Sequence, residues 1–206
     1  MSMQDSPTNK REIMAETKPA PEQALRGLEG ARKRGPAPVH LWNPPYCGEI
    51  DMRIAADGTW YYCGSPIGRI GLVQLFASVL RKDAERYVLV TPVERVGIRV
   101  DDAPFLAVEM RAEGEGNDPR LTFRTNVDDF VTVDAEHPLR FETGAAEGLK
   151  PYVRVRDDLW ALVKRALFYD LAARGLIEAR DGEDWFGVRS SGIFFPMRRA
   201  SELDGL

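Results

Sequence analysis

The chain has 206 residues, 44% hydrophobic and 29% charged, which suits one large or two small globular domains built without disulfide or metal staples. Its formal net charge of -4 argues against a nucleic-acid binder, which gathers an excess of Lys and Arg on one face. No apolar run reaches the about 18 residues of a membrane-spanning helix, and Cys47 and Cys63 alone are too few for a secreted disulfide scaffold.

Met1 to about Lys18 is polar and reads as a disordered tail. It has no apolar stretch of the kind a secretory signal needs, so a reducing cytoplasm is the expected compartment. Leu25 and Leu28 at helical spacing predict a short helix over Glu22 to Arg34, which Gly35 to Pro38 ends. From Glu49 the period becomes two, with Ile50, Met52 and Ile54 opposite Asp51 and Arg53. Asp57-Gly58 then predicts a two-residue hairpin turn. That turn pairs Ala55 with Trp60, Arg53 with Tyr62 and Met52 with Cys63. Ile50, Met52, Ile54, Tyr61 and Cys63 share one face; Asp51, Arg53, Trp60 and Tyr62 share the other.

Ser65 as N-cap and Pro66 at the first helical position predict a helix running to about Lys82, with Leu72, Val73, Phe76, Val79 and Leu80 inward. Strands are expected at Tyr87 to Thr91, Val93 to Val100, Phe105 to Arg111, Leu121 to Thr125 and Phe130 to Val133. A flexible loop, Gly114 to Asp118, lies among them. A hairpin over Leu139 to Val155 bends at Gly144 to Gly148. Asp157 or Asp158 then caps a second helix whose stripe is Leu159, Leu162, Val163, Ala166, Leu167 and Leu171, ending at Gly175. Closing strands cover Leu176 to Ala179, Trp185 to Arg189 and Ile193 to Pro196.

Hairpin, capped helix and strand meander occur once from Asp51 and again from Pro138. The expected fold is therefore α+β, a duplicated unit of antiparallel sheet with a covering helix. The expected division is 1–38 for tail and short helix, 39–112 and 113–197 for the two halves, and 198–206 for a polar tail.

The segments LWNPPYCGEIDMRI, DGTWYYCGSPIGR, YVLVTPVERVGIRVDDAPF, FRTNVDDFV and YVRVRDDLWALVKRALFYDL resemble the bacterial family catalogued as domain of unknown function 1285, over roughly His40 to Met197. The resemblance implies a duplicated α+β core, a C-terminal half loosely like a pleckstrin-homology domain, a binding site between the halves and a signalling or sensing role. It supplies no catalytic residues.

Aromatic and charged residues in Leu41 to Arg69 make the candidate ligand-binding set Trp42, Tyr46, Asp51, Arg53, Trp60, Tyr62 and Arg69. Arg69 and Ser65 flank a helix start that could hold an anion, although capping alone accounts for Ser65. Cys47 and Cys63 read as free thiols, and His40 and His137 lack metal-ligand spacing. The acidic pairs Asp101-Asp102, Asp128-Asp129 and Asp157-Asp158 fall at expected turns or a helix start, where Asp accepts backbone hydrogen bonds.

The expected function is a non-enzymatic sensor or adaptor with a cleft lined by that set. Its partner is a small molecule or another protein, with no cofactor, no metal and no nucleic acid. The rivals are a metal-assisted hydrolase using Asp51 and Asp101-Asp102, and a protein-interaction module docking through sheet edges.

Overall fold

A computed structural model describes residues 37–114, 119–144 and 148–203. The expected N-terminal helix lies outside them, as do most of the Gly114 to Asp118 loop and the middle of the Gly144 to Gly148 bend.

A short 3-10 turn, Val39–Leu41, leads into β1 (Tyr46–Ile54). Met52 and Ile54 are buried, as the alternation requires. The hairpin that follows has a three-residue loop. Ala55 N–H donates to Thr59 O at 2.9 Å, Gly58 N–H donates to Ala55 O at 2.8 Å, and Gly58 has φ +81°. A turn followed by a left-handed Gly is the usual solution for this loop length. A Cβ at Gly58 would also stand 2.9 Å from Leu106 and Asn126, so the loop is pressed against the next sheet.

The extra residue shifts the expected register by one. In β2 (Trp60–Tyr62) the partners are Ile54 with Trp60, Arg53 with Tyr61 and Met52 with Tyr62. Every β2 side chain therefore changes face relative to the expectation. The tight two-residue turn lies instead at Cys63-Gly64, with φ of 49° and 74°, and pairs β3 (Ser65–Pro66) with β2. Ser65 and Pro66 thus form an edge strand, where a missing amide is harmless, and do not start a helix. Helix α1 is shorter than expected, Ile70–Ser78, with Arg69 at its N-cap. The segment after it, β4 (Leu80–Asp83), is strand, not the helix end expected there.

β5 (Arg86–Val90) and β6 (Arg95–Val100) complete a six-stranded sheet of order β3-β2-β1-β6-β5-β4, in which β1 and β6 run parallel. Residues 101–104 cross to a second sheet made of β7 (Phe105–Glu113), β8 (Arg120–Thr125), β9 (Phe130–Thr132), β10 (Leu139–Thr143), β11 (Leu149–Arg156) and β12 (Leu159–Val163). Its order is β10-β11-β12-β7-β8-β9, with β7 and β12 parallel. Counted from its own first strand, each sheet reads 3-2-1-6-5-4 with first and last strands parallel. The repeat therefore equates β1 with β7, and the expected match of Asp51 onward with Pro138 onward paired the wrong segments.

The second expected helix is corrected most. Leu159, Ala161 and Val163 are buried in alternation, so the stripe's first part is strand β12, and Asp157-Asp158 is its hairpin turn, not a helix cap. Helix α2 is only Arg165–Ala172, buries Leu171, and follows the second sheet. Among the described residues the balance is accordingly mostly sheet with two α-helices, not one full helix covering each sheet. A third sheet, β13 (Leu176–Arg180), β14 (Glu183–Ser190) and β15 (Ile193–Arg199), closes the chain. Buried Ser190 anchors it: its Oγ accepts Leu121 N–H at 3.0 Å and donates to Val133 O at 2.8 Å. One apolar core runs from Met52 and Phe76 through Phe105 and Phe123 to Phe195. No helix among the described residues is long and apolar enough to cross a membrane.

Candidate functional site

The seven residues singled out in the sequence do not converge. Trp60 is 1% exposed and stacks on Phe76, with ring centroids 6.1 Å apart and planes 11° apart. It is a core residue because the longer hairpin loop turned it inward, and Tyr61 takes its expected place beside Arg53. Tyr62 likewise packs against the core, and its phenol is pushed above its ordinary pKa by burial and then by Cys63. Asp51 and Arg53 lie on the outer face of β1, where Arg53 sits 5.1 Å from the Tyr61 ring and pairs with Asp101 at 3.3 Å. Trp42 packs on the core, and its carbonyl accepts from Arg81 at 2.7 Å. The Tyr46 ring lies near the guanidinium groups of Arg86 and Arg95, at 5.6 and 5.9 Å, and its hydroxyl covers Gly97, where a Cβ would come within 2.7 Å. Arg69 stands at the start of α1.

A different set does converge, in a cleft of about 320 Å³ between the two large sheets. The first sheet contributes Lys82 of β4 and Tyr87 of β5, which are cross-strand partners. The second contributes Arg140 and Glu142 of β10, Tyr152 of β11 and Trp160 of β12; the crossing segment contributes Asp102 and Ala103. Arg140 and Tyr152 are also cross-strand partners. The fourth and fifth strands of each unit thus present the same device, a cation near a tyrosine face. Lys82 Nζ is 5.7 Å from the Tyr87 ring, and the Arg140 guanidinium is 5.2 Å from the Tyr152 ring. The same guanidinium lies 4.2 Å from the centre of Trp160.

Hydrogen bonds fix these groups. Asp102 accepts from Lys150 Nζ at 2.5 Å and from Tyr152 Oη at 2.7 Å. Burial pushes its carboxyl upward, but those two donors outweigh burial and hold it below the ordinary value. Burial and the Asp102 hydrogen bond raise the Tyr152 phenol far above its own. Asp158 accepts from Lys82 Nζ at 2.8 Å and from Trp160 Nε1 at 2.9 Å, which lowers the carboxyl; Lys82 is raised by the same contact. Burial raises the Tyr87 phenol.

The halves are also joined by Arg156, which donates from Nη2 to Ala77 O at the end of α1 at 2.5 Å and from Nη1 to Asp129 at 3.1 Å. Gln74 of α1 also donates to Asp128 at 3.1 Å. Of the carboxylates suggested for metal-assisted hydrolysis, Asp101 is engaged by Arg53 and Arg99 and Asp102 by Lys150. Among the described residues no group of three or more His, Cys, Asp or Glu is placed to hold a metal ion. The cleft offers aromatic faces, N–H donors and charged groups fixed by hydrogen bonds.

Lys82 and Trp160 were hidden in the sequence because both segments were read as helix, whose outer face is ordinarily solvated. Arg140 and Tyr152 sat in a correctly expected hairpin. Their signal was a cation opposite a tyrosine, legible only once the register was known.

Two family models match, "Domain of unknown function (DUF1285), N-terminal domain" over residues 37–103 and "Protein of unknown function (DUF1285), C-terminal domain" over residues 104–197. A crystal structure of a DUF1285 family protein from Silicibacter pomeroyi DSS-3 is 48% identical, over 90% of this chain and 98% of that one, with a TM-score of 0.81. Another, from Shewanella baltica OS155, is 27% identical, over 60% and 91%, with a TM-score of 0.49. No curated protein matches the chain.

Proposed function

The chain belongs to the DUF1285 family, and we propose that it is a cytoplasmic, non-enzymatic sensor or adaptor that binds a small polar molecule in the cleft between its two large sheets and acts in signal transduction. The observation that carries this reading is the convergence of Lys82 and Tyr87 from one half with Arg140, Tyr152 and Trp160 from the other around one polar cleft. Ligand sites favour junctions between domains, where a few oriented polar groups meet apolar walls. A molecule bound there touches both halves and so reports on their relative placement, which is what a sensor needs. The face that Asp51, Arg53 and Tyr61 share in the observed register keeps a lesser place in this reading, as a surface suited to a protein partner. Helix α2 following the six-stranded second sheet supports reading that half as loosely pleckstrin-homology-like, a scaffold suited to docking.

The test is a thermal-shift screen of polar metabolites on the full chain, run beside Tyr87→Ala and Trp160→Ala. A ligand specific to the native state raises the melting temperature by mass action, about 2.7 kcal/mol at a hundred times its Kd. The expected result is a dose-dependent shift in the parent protein that both variants lose. Shifts that survive both variants would place the site elsewhere.

A further inference from the structure

The donors and acceptors of the cleft are unequally used, and the inequality indicates what it binds. Both oxygens of Asp102 are engaged, Oδ2 by Lys150 and Oδ1 by Tyr152. Both oxygens of Asp158 are engaged as well, Oδ2 by Lys82 and Oδ1 by Trp160. Every oxygen of both carboxylates already faces a donor, so their charge is largely answered from within the protein. Arg140 is the opposite case. Of its five N–H donors, one nitrogen, Nε, is set against Glu142 Oε1 at 3.0 Å, and its remaining contacts are the faces of Tyr152 and Trp160. Neither Nη of Arg140 makes a hydrogen bond among the described residues, and the Nη and Nε donors of a guanidinium form the fork that grips carboxylate or phosphate in bidentate fashion.

The existing partner is easily displaced. Glu142 is two residues from Arg140 on the same strand, and both side chains are about half exposed, 47% and 45%. Ion pairs of that exposure hold weakly. Lys82, paired with Asp158, lies across the same cleft and brings further N–H donors from the other half.

Resting on the proposed ligand-binding role of this cleft, we infer that its ligand is a small organic anion carrying a carboxylate or phosphate, anchored by the edge of Arg140 in place of Glu142.

The test uses the full chain with sodium succinate and sodium phosphate as anionic probes, choline chloride as the cationic probe, and sodium chloride at matched ionic strength as control. Melting temperature and the indole N–H resonance of Trp160 are followed during each titration. At least one anionic probe is expected to raise the melting temperature and move the Trp160 resonance, because the guanidinium lies on that ring. Arg140→Gln should weaken the response about tenfold or more, the factor for one charge-assisted hydrogen bond. Arg140→Lys, which keeps the charge and loses the fork, should fall between. Glu142→Gln removes the competing carboxylate and should tighten binding several-fold, a gain that a damaged fold cannot imitate. Saturable binding of choline with no response to either anion would overturn the anion assignment and leave the ligand-binding role standing. No response at Trp160 to any probe overturns the anion assignment, and the metabolite screen then decides the role independently. Equal anion responses in the parent, Arg140→Gln and Glu142→Gln would equally overturn Arg140 as the anchor.

Discussion

Replacing Asp102 tests how firmly the crossing segment is tied to the second sheet at the base of the cleft. The carboxylate is 15% exposed and receives two donors from β11. Asp102→Ala leaves the Tyr152 hydroxyl, on a residue 4% exposed, without an acceptor, and an orphaned buried donor costs about 1–3 kcal/mol. Lys150, 45% exposed, can turn to water, so its share is discounted to under about 1 kcal/mol. The expected loss is therefore about 1–4 kcal/mol. Asp102→Asn keeps an acceptor for Tyr152 and should lose only about 1 kcal/mol. The pH dependence follows from the depressed carboxyl. Folding lowers its pKa, so its stabilisation is complete above the unfolded value of about 3.9 and fades as pH falls through the folded value. Urea unfolding monitored by tryptophan fluorescence should show a steady gap between parent and Asp102→Asn from neutral pH to about 4, closing below that. A loss below about 0.5 kcal/mol for Asp102→Ala, the usual range of surface substitutions, or a gap that widens on acidification, would refute the reasoning.

Three further outcomes follow from the geometry. Trp60→Ala should cost about 3–5 kcal/mol by opening a cavity against Phe76, whereas Tyr61→Ala should cost less than about 1 kcal/mol; equal losses would restore the two-residue turn and its register. Gly58→Ala must hold a side chain at φ +81° and press on Leu106, so it should destabilise by about 1–2 kcal/mol or more, measured by thermal unfolding. Arg156→Ala removes a largely buried guanidinium between Ala77 O, Asp129 and the Phe105 ring. A loss of about 2–3 kcal/mol is expected, toward the low side for buried ion pairs because Asp129 can regain water; a neutral effect would show that the halves do not depend on this tie.

What the sequence disclosed was pattern of period two and its turn residues. β1, β6, β7, β8 and the final meander lie close to where alternation put them, and the chain does repeat one sheet unit, but from β1 and β7 and not from Asp51 and Pro138. It failed where two readings shared the same letters. Leu159, Leu162, Val163 and Leu171 fit a helical stripe, yet Leu159, Ala161 and Val163 also alternate, and burial on the sheet won. Asp57-Gly58 fits both two- and three-residue loops, and a difference of one residue decided whether Tyr62 or Tyr61 stands opposite Arg53. The cleft was invisible for a related reason. Its lining comes from strands far apart in the chain, and two of those strands were hidden inside expected helices.

Chemical-shift mapping of the four tryptophan indoles, during titration with a hit from the metabolite screen, decides whether the cleft between the sheets is the ligand site. Trp160 lines the cleft, while Trp42, Trp60 and Trp185 lie outside its lining. The expected result is a saturable shift of the Trp160 indole with the other three nearly still. A shift led by Trp42 or Trp185, or none at Trp160 while the protein is demonstrably bound, would contradict it.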